Sequence, residues 1–260
     1  MSGKLFQLKS FLTYWLDAVD EHSLHSPFLF NFYTKVIKRK VSGDFDSLGA
    51  IRKQFLHDDR LVHVTDFGAG SAYLNANRKI SDIVRITCTP EKFSSLYARI
   101  IRYHGFKHVI ELGTSIGINA MYLAKGNENV ELTTFEGSPE IAAIARELFN
   151  RDKVNNIKLL EGNIDITLEP YLATAERVDF ALVDANHRLE PTLQYLELLI
   201  QKTDAHSVIA IDDIHHSPEM ERAWQTIQSN PRVQTTIDLY RCGLIFFNPS
   251  LTRQNVVLQF

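Results

Sequence analysis

Residues 107–125, KHVIELGTSIGINAMYLAK, combine a strand pattern, a glycine-bearing turn and a helix pattern in one short stretch. His108–Leu112 is an apolar run suited to a buried parallel strand, and Ile118–Ala124 has the apolar spacing of a helix. Between them lie Gly113 and Gly117, and residues without a Cβ let the backbone bend sharply or come close to a ligand. Such a turn also aims the free N–H groups of the next helix at whatever binds there. The stretch therefore predicts a cofactor cradle.

The glycine spacing narrows the choice of cofactor. G-x-x-x-G lacks the third glycine of the dinucleotide fingerprint and the Lys-Ser/Thr pair of a phosphate-binding P-loop. An E-x-G-x-x-x-G turn after a first strand instead resembles motif I of the class I S-adenosylmethionine (SAM) methyltransferases. The alternative is an ordinary strand-to-helix turn that binds no ligand. The resemblance implies that SAM binds at Glu111, Gly113, Thr114, Ser115 and Gly117.

Length, composition and charge are those of an ordinary soluble globular protein. The chain has 260 residues, 45% hydrophobic and 23% charged, and no apolar run reaches transmembrane length. Its first ten residues lack the apolar core of a secretory signal. Cys88 and Cys242 form neither a metal-binding spacing nor a disulfide framework, so we expect a reducing cytoplasm. Residues 1–105 carry a net charge of +5 and residues 106–260 one of −8. The basic part either meets an anionic partner or is a solvated face.

The N-terminal region has two helical patterns. Residues 5–16 and residues 28–37 show the apolar spacing of amphipathic helices, and Ser26 followed by Pro27 is a good start for the second helix. The link between them, HSLHSP at residues 22–27, concentrates two histidines and two serines. This link either lines a site or is a simple polar turn.

A second glycine-containing segment, DFGAGS at residues 66–71, follows a short apolar alternation. The residues after it are too polar for a long apolar helix, so we expect a loop that lies against the main site with a hydrogen-bonding Ser71. The sequence thus divides into an N-terminal helical cap, residues 1–105, and a SAM-binding domain, residues 106–260.

From residue 106 onward, strand patterns alternate with helix patterns, as in a parallel sheet covered by helices on both faces. About four residues containing Gly243 join the last two strands, too few for a parallel crossover, so we expect an antiparallel pair. This arrangement resembles class I methyltransferases. It implies an α/β fold with a Rossmann-like sheet of seven strands in the order 3-2-1-4-5-7-6, the last antiparallel. The predicted strands after the first are Glu131–Phe135, Ile157–Glu161, Val178–Asp184, Ser207–Asp212, Val233–Leu239 and Leu244–Phe247.

Glu136 ends the second predicted strand, about 20 residues beyond the glycine turn. A carboxylate at this place can accept hydrogen bonds from both ribose hydroxyls of a cofactor, as in dinucleotide folds. The alternative is a solvent-exposed acid before a turn. The resemblance implies that Gly137 and Ser138 lie beside the cofactor, and that Gly162 and Asn163, after the third strand, lie where the adenine ring is held.

Three acids follow the fourth and fifth predicted strands: Asp184 in FALVDANH, and Asp212 and Asp213 in IAIDDIHH. The carboxyl ends of the strands in an open parallel sheet lie on the ligand side, so we expect these acids to converge near the cofactor. Carboxylates placed together repel one another unless a cation or a proton intervenes, and oxygen ligands suit Mg²⁺ or another hard divalent ion. The alternative is that Asp184 faces the substrate and that Asp212 or Asp213 caps the next helix.

This pattern resembles the metal-dependent O-methyltransferases of the catechol and caffeoyl-CoA type. The resemblance gives Asp184 and Asp212 the acid positions of the metal site, whereas Asp213 stands where an Asn is usual. His187 takes the place of the lysine that acts as the base in the catechol enzymes. His187 and Asp184 are therefore the predicted catalytic residues, and Asp184 also borders the cofactor. The segments HSLHSPF and DFGAGS resemble a set of bacterial proteins described only as class I methyltransferases.

Together these features predict a SAM-dependent methyltransferase that acts on a hydroxyl of a small molecule, assisted by a divalent cation. The alternatives are a metal-independent N-methyltransferase and a protein that binds SAM or its product without catalysis. Nucleic acid is disfavoured, because the fourth strand lacks the D/N-P-P-Y/F block that holds a flipped base. Of the adjacent His215 and His216, at most one faces the pocket. The N-terminal helices either cover their own chain's pocket or pack against a second copy in a homodimer.

Overall fold

The computed structural model describes residues 3–39, 43, 45–64 and 77–260 of the chain. None of the helices in these ranges has both the length and the apolar character needed to cross a membrane. The helices and strands of the described residues are, in chain order, α1 (Gly3–Asp17), α2 (Pro27–Phe32), α3 (Asp46–Phe55), β1 (Leu61–His63), β2 (Asn77–Lys79), α4 (Ile80–Thr87), α5 (Glu91–His104), β3 (His108–Leu112), α6 (Ile118–Ala124), β4 (Glu131–Glu136), α7 (Pro139–Arg151), β5 (Ile157–Glu161), α8 (Ile164–Thr174), β6 (Phe180–Val183), α9 (Leu189–Ile200), β7 (Val208–Ile211), α10 (Pro218–Ser229), β8 (Thr235–Asp238), β9 (Gly243–Phe246) and β10 (Gln254–Val257).

The chain folds into two compact units. The central unit comprises residues 40–173, and the terminal unit comprises residues 1–39 together with residues 174–260. The predicted division at residue 105 into a helical cap and a SAM-binding domain stays a prediction. The predicted loop DFGAGS, with its Ser71, lies outside the described residues.

Three parallel strands form the main sheet of the central unit. β4 lies between β3 and β5, with Leu112 opposite Phe135 and Glu136 opposite Glu161. Most residues of β3 and β4 are buried, as expected for parallel strands covered on both faces. The pairing confirms that the first three predicted strands are neighbours in the predicted order. Because the strands run in the same direction, the turns that follow them lie at one edge of the sheet.

The terminal unit holds five further strands. β6 and β7 are parallel, and β9 is antiparallel to both β7 and β8, so the predicted antiparallel hairpin is confirmed. β8 also pairs in parallel with β10, which the sequence does not predict. The segment QNVV of β10 is short, begins with two polar residues and is only partly buried, so it lacks the apolar signal of a strand. The strand order across the entire sheet stays a prediction.

Both N-terminal helices form where the sequence predicts them. The second one is α2, continued by a π-helical turn at Tyr33–Ile37. Ser26 caps α2, since its hydroxyl oxygen accepts a hydrogen bond from the backbone N–H of Leu29. His22 and His25 are exposed. The HSLHSP link therefore has the character of a polar turn.

Helix α1 presents most of its large apolar side chains to solvent. Tyr14 is buried, and its hydroxyl donates to the carbonyl oxygen of Leu258 at 2.7 Å. The side chain of Trp15, in contrast, is 66% exposed. Apolar spacing predicts the helix correctly but does not tell which face is buried. The exposed apolar residues of α1 are Leu5, Leu8, Phe11, Leu12, Trp15 and Leu16.

Candidate active site

The turn after β3 is shaped by two glycines with positive φ. Gly113 has a φ of 102° and Gly117 one of 88°, conformations that residues with a Cβ rarely adopt. The N–H groups of Gly113 and Thr114 both donate to the carbonyl of Phe135, at 3.1 and 2.9 Å, which fastens the turn to the end of β4. A Cβ on Gly117 would lie 2.7 Å from the ring of Phe149. Backbone conformation and available space therefore both require glycine at position 117.

Glu136 joins the turns that follow β3, β4 and β5. One carboxylate oxygen accepts from the N–H of Ser115 at 2.8 Å, and the other accepts from the N–H of Ser138 at 2.9 Å. The backbone carbonyl of Glu136 accepts from the N–H of Gly162 at 2.9 Å. Burial raises the pKa of Glu136 to about 6, although the N–H groups of Ser138, Ser115 and Gly137 oppose the rise. Glu136 is half-buried, not the solvent-exposed acid of the alternative interpretation.

Ser138 and Asn163, two more of the predicted cofactor residues, stand directly before helices. Ser138 is 1% exposed, and its hydroxyl donates to Glu140 Oε2 at 3.0 Å at the start of α7. The side-chain oxygen of Asn163 accepts from the N–H of Asp165 at 3.0 Å, which is a cap on α8. The role of Asn163 beside the adenine ring stays a prediction.

Glu111 lies behind the glycine turn and has no exposed surface. Its carboxyl accepts hydrogen bonds from Asn119 Nδ2 at 2.7 Å and from Thr134 Oγ1 at 2.5 Å. The hydroxyl of Thr134 is also 2.6 Å from that of Thr114. Burial raises the pKa of Glu111 to about 7, against the effect of the hydrogen bonds from Thr134 and Asn119. The side chain thus supports the turn from behind, and the contact between Glu111 and the cofactor stays a prediction.

Replacing Glu111 with glutamine is expected to favour the variant over the wild type more strongly at pH 8 than at pH 5. The stabilising contribution of the neutral carboxyl is fully present below the unfolded-state pKa of 4.5 and is lost as the pH rises through the folded-state pKa of about 7. Since glutamine does not ionise, the difference in free energy of unfolding between variant and wild type should shift toward the variant by about 3 kcal/mol over this window. Urea unfolding followed by circular dichroism at the two pH values measures the shift.

Glu128→Gln is the control for this measurement. Glu128 is an exposed glutamate of the same unit, in the loop before β4. Its substitution should change the free energy of unfolding by the same amount at both pH values. A pH-independent difference for Glu111→Gln as well would show that the buried carboxyl is not destabilised by ionisation.

In the terminal unit, Asp184 and His187 lie in a tight turn after β6. The N–H of His187 donates to the carbonyl of Ala185 at 2.8 Å, and both Asn186 and His187 have positive φ, 67° and 45°. The turn brings His187 Nε2 to 3.6 Å from Asp184 Oδ1. Burial lowers the pKa of His187 from 6.5, and the charges of the neighbouring acids only partly oppose this effect. His187 is therefore neutral at pH 7, the form that can accept a proton.

Arg241, which the sequence analysis missed, pairs with the two acids after β7. Its Nε and Nη2 atoms donate to Asp212 Oδ2 at 3.0 and 2.7 Å, and Nη2 lies 3.5 Å from Asp213 Oδ1. Burial and the charge of Asp213 raise the pKa of the fully buried Asp212, against the effect of Arg241. Burial would lower the pKa of Arg241, but the charges of Asp212 and Asp213 raise it above its usual range. The guanidinium is therefore a permanent positive charge.

Strand register explains how Arg241 reaches the acids. β9 runs antiparallel to β7, with Gly243 opposite Ile211, so the residues before β9 face those after β7. The N–H of Ile214 donates to the carbonyl of Arg241 at 3.1 Å, which fixes the hairpin turn to that loop. Trp224 packs so closely on the hairpin that a Cβ on Gly243 would overlap its ring. The predicted strand order already placed β7 and β9 side by side. This was the sequence signal that could have identified Arg241, which lies just before β9.

The loop after β7 continues through two histidines to a helix cap. Ser217 caps α10 through its side chain, so neither acid does so, and that alternative is wrong. His215 Nε2 lies 2.8 Å from Asp238 Oδ2 within a largely buried cluster. The ring of His216 lies 6.3 Å from the ring of His187. The two adjacent histidines thus have different surroundings, and His216 is the one near the predicted base.

A divalent cation does not fit the acids as they are arranged. One carboxylate oxygen of Asp212, Oδ2, already accepts two hydrogen bonds from Arg241, whose positive charge also lies 3.5 Å from Asp213. Within the ranges that the structure describes, no group of three or more His, Cys, Asp and Glu side chains is arranged to hold a metal ion. The geometry therefore does not support the predicted metal-ligand roles of Asp184, Asp212 and Asp213.

Comparison with known proteins agrees with the fold. Residues 110–214 match a family described as methyltransferase domain. The O-methyltransferase imqG of Aspergillus flavus is 27% identical over 147 residues, which is 54% of this chain and 57% of that protein. The chain thus spans little more than half the length of this relative.

Solved structures share the fold over a larger part of the chain. An O-methyltransferase from Bacillus cereus in complex with S-adenosylhomocysteine (SAH) is 16% identical, with a TM-score of 0.56 over 83% of this chain and 96% of that chain. TomG from Streptomyces achromogenes, an O-methyltransferase in complex with SAM, is 13% identical, with a TM-score of 0.55 over 84% and 95% of the two chains. Such identities show the fold alone, and they confirm the predicted α/β class. Residues 110–214 are therefore similar to a methyltransferase domain, and the chain has a Rossmann-like α/β fold that these solved methyltransferases share.

Proposed function

We propose that this protein is a SAM-dependent methyltransferase that methylates a hydroxyl group of a small molecule. The observation that carries the proposal is Glu136, whose side chain and backbone join the turns after three neighbouring parallel strands. The match of residues 110–214 to a methyltransferase domain supports it, and so does the relative named as an O-methyltransferase.

Side chains and backbone of the central unit suit SAM. A half-buried carboxylate at the carboxyl ends of parallel strands can accept hydrogen bonds from two ribose hydroxyls, and Glu136 meets this description. Gly113 and Gly117 keep the turn beside it free of side chains, and Glu111 holds the turn in shape from behind. SAM, when bound, supplies an electrophilic methyl group on a sulfonium. The protein then has mainly to align the acceptor and to take its proton.

Residues of the terminal unit suit the acceptor. His187 is the proposed general base, because its imidazole is neutral at pH 7 and can take the proton of a hydroxyl. The charge of Asp184, at 3.6 Å from His187 Nε2, stabilises the imidazolium once the proton has arrived. These roles need no metal ion.

Replacing Glu136 with alanine is expected to weaken SAM binding about 30-fold, because hydrogen bonds to a carboxylate of this kind contribute about 2 kcal/mol. Glu131→Ala is the matched control, since Glu131 is an exposed glutamate at the opposite end of the same strand. Its affinity for SAM should equal that of the wild type. Isothermal titration with SAM and with SAH measures all three affinities.

Equal affinities of Glu136→Ala and the wild type would remove the ribose-binding role from Glu136. No binding of SAM or SAH to the wild type would overturn the cofactor itself, and the glycine turn would then be a plain structural bend. Both results are independent of the acceptor, which enters only in the activity assay.

The class of acceptor is tested with SAM that carries a labelled methyl group. Catechol and 3,4-dihydroxybenzoate provide hydroxyl acceptors, and aniline and benzylamine provide amine acceptors. Label in the phenols supports O-methylation, whereas label in the amines alone would favour the N-methyltransferase alternative. Tight SAM binding without a labelled product from either set would favour a protein that binds the cofactor without catalysis.

A further inference from the structure

We propose that the guanidinium of Arg241 is the permanent counter-cation of Asp212 and Asp213, so that this protein needs no divalent metal ion at these acids. The expected effects on methyl transfer rest on the proposed function. The pairing of Arg241 with the two acids rests only on contacts within the terminal unit. It assigns to one side chain a role that the sequence pattern predicted for Mg²⁺.

Arg241 forms a hydrogen-bonded ion pair with Asp212 and lies close to Asp213. Two of its N–H groups converge on Asp212 Oδ2, at 3.0 and 2.7 Å, and Asp213 Oδ1 lies 3.5 Å from the nearer nitrogen. The side chain of Asp212 is fully buried and that of Arg241 is 27% exposed. An ion that bound Asp212 Oδ2 would have to break two charge-assisted hydrogen bonds, and an ion at any of these acids would meet a positive charge that cannot be removed by deprotonation.

The backbone holds the guanidinium in place. Arg241 lies in the turn of the β8–β9 hairpin, where the N–H of Leu239 donates to the carbonyl of Cys242 at 2.9 Å. The carbonyl of Arg241 itself accepts from the N–H of Ile214 at 3.1 Å, just after the acid pair. The first bond closes the hairpin turn on itself, and the second ties it to the acid-bearing loop. A cation fixed in this way is pre-organised.

The guanidinium of Arg241 offsets part of the negative charge of the acids. Asp184, Asp212 and Asp213 bring three carboxylates, and Arg241 brings one positive charge that interacts with all of them. His187 Nε2 lies 3.6 Å from Asp184, beside the same group of acids.

Binding of Mn²⁺, followed by electron paramagnetic resonance, tests the proposal without SAM or an acceptor. The wild type is expected to leave the Mn²⁺ signal unchanged. Arg241→Met removes the charge and keeps the aliphatic stem, so we expect it to gain a Mn²⁺ site with at least tenfold higher affinity than the wild type. Adding Asp212→Asn should abolish that site. Because the readout is metal binding, failure of the proposed methyltransferase function would leave the result interpretable.

Arg177→Met is the matched control. Arg177 pairs at 2.9 Å with Asp179, whose side chain is 6% exposed, in the same unit but without a second acid of the cluster. This variant loses an ion pair of the same kind and should gain no Mn²⁺ site. A gain equal to that of Arg241→Met would overturn the proposal, because any unpaired buried aspartate would then bind the ion.

The same variants give a second readout in the methyl-transfer assay. Wild-type activity should be unchanged by EDTA, and Mg²⁺ should restore activity to Arg241→Met but not to the variant that also carries Asp212→Asn. Stoichiometric Mn²⁺ binding by the wild type that is lost in Asp212→Asn would overturn the proposal, and so would a folded Arg241→Met without a Mn²⁺ site. If Arg241→Met does not fold, Mn²⁺ binding by the wild type and the effect of EDTA on wild-type activity test the proposal without it.

Discussion

Alanine at position 187 is expected to lower kcat for methyl transfer about 10³-fold, the usual contribution of a positioned general base, while SAM binds with unchanged affinity. His187 carries this role because its tight turn holds Nε2 near Asp184 and because its burial keeps the imidazole neutral at pH 7. The loss should appear in kcat with little change in KM, since the side chain acts on the proton and not on the cofactor. Initial rates with the best phenol acceptor measure it.

The pH dependence of activity distinguishes the loss of a general base from damage to the fold. Only neutral imidazole accepts a proton, so activity should fall as the pH drops through the pKa of His187, and burial moves this fall below 6.5. His187→Ala should lose that acidic limb. His206→Ala, an exposed histidine of the same unit, is the control and should keep both the rate and the limb. A His187→Ala enzyme with the wild-type rate and profile would refute the base assignment.

Replacing Gly117 with alanine is expected to lower the free energy of unfolding by about 3 kcal/mol and to weaken SAM binding. The φ of 88° is unfavourable for a residue with a Cβ, and that Cβ would lie 2.7 Å from the ring of Phe149, which cannot move freely in a packed core. Backbone strain of about 1–2 kcal/mol and overpacking of about 1–3 kcal/mol together give the expected size. Urea unfolding followed by circular dichroism measures the stability.

Gly105→Ala isolates the strain from the overpacking. Gly105 has a φ of 68°, but a Cβ at this position would have no neighbouring atom within 4 Å, so its substitution should cost only about 1 kcal/mol. Phe149→Leu offers a second check, because a smaller side chain should relieve the clash and make the double variant less unstable than the sum of the single ones. Equal costs at positions 117 and 105 would show that the Phe149 ring yields without penalty.

Local signals explain why so much of the fold could be predicted. The strand His108–Leu112 and the helix Ile118–Ala124 have the predicted bounds, because an apolar run, two glycines and helical spacing act over a few neighbouring residues. The antiparallel hairpin was predictable for a similar reason, since a loop of about four residues permits little else. The place of the Glu136 carboxylate was predictable because this residue ends a strand pattern.

Features that depend on distant contacts could not be predicted in the same way. Glu111 belongs to a glycine motif, but its burial against Thr134, 23 positions along the chain, gives it a supporting role. Arg241 is 29 positions from Asp212 and meets it only through the register of two antiparallel strands. The edge strand β10 carries too few apolar residues to be recognised without its partner.

The close packing of Trp224 on Gly243 has a practical optical consequence. The chain has only two tryptophans, Trp15 and Trp224, and both belong to the terminal unit. Trp15 is 66% exposed and Trp224 is 2% exposed, so the blue shift of intrinsic emission on folding comes from Trp224. Fluorescence therefore reports the loss of the hairpin that carries Arg241 and does not report directly on the glycine turn, whose variants need a backbone signal.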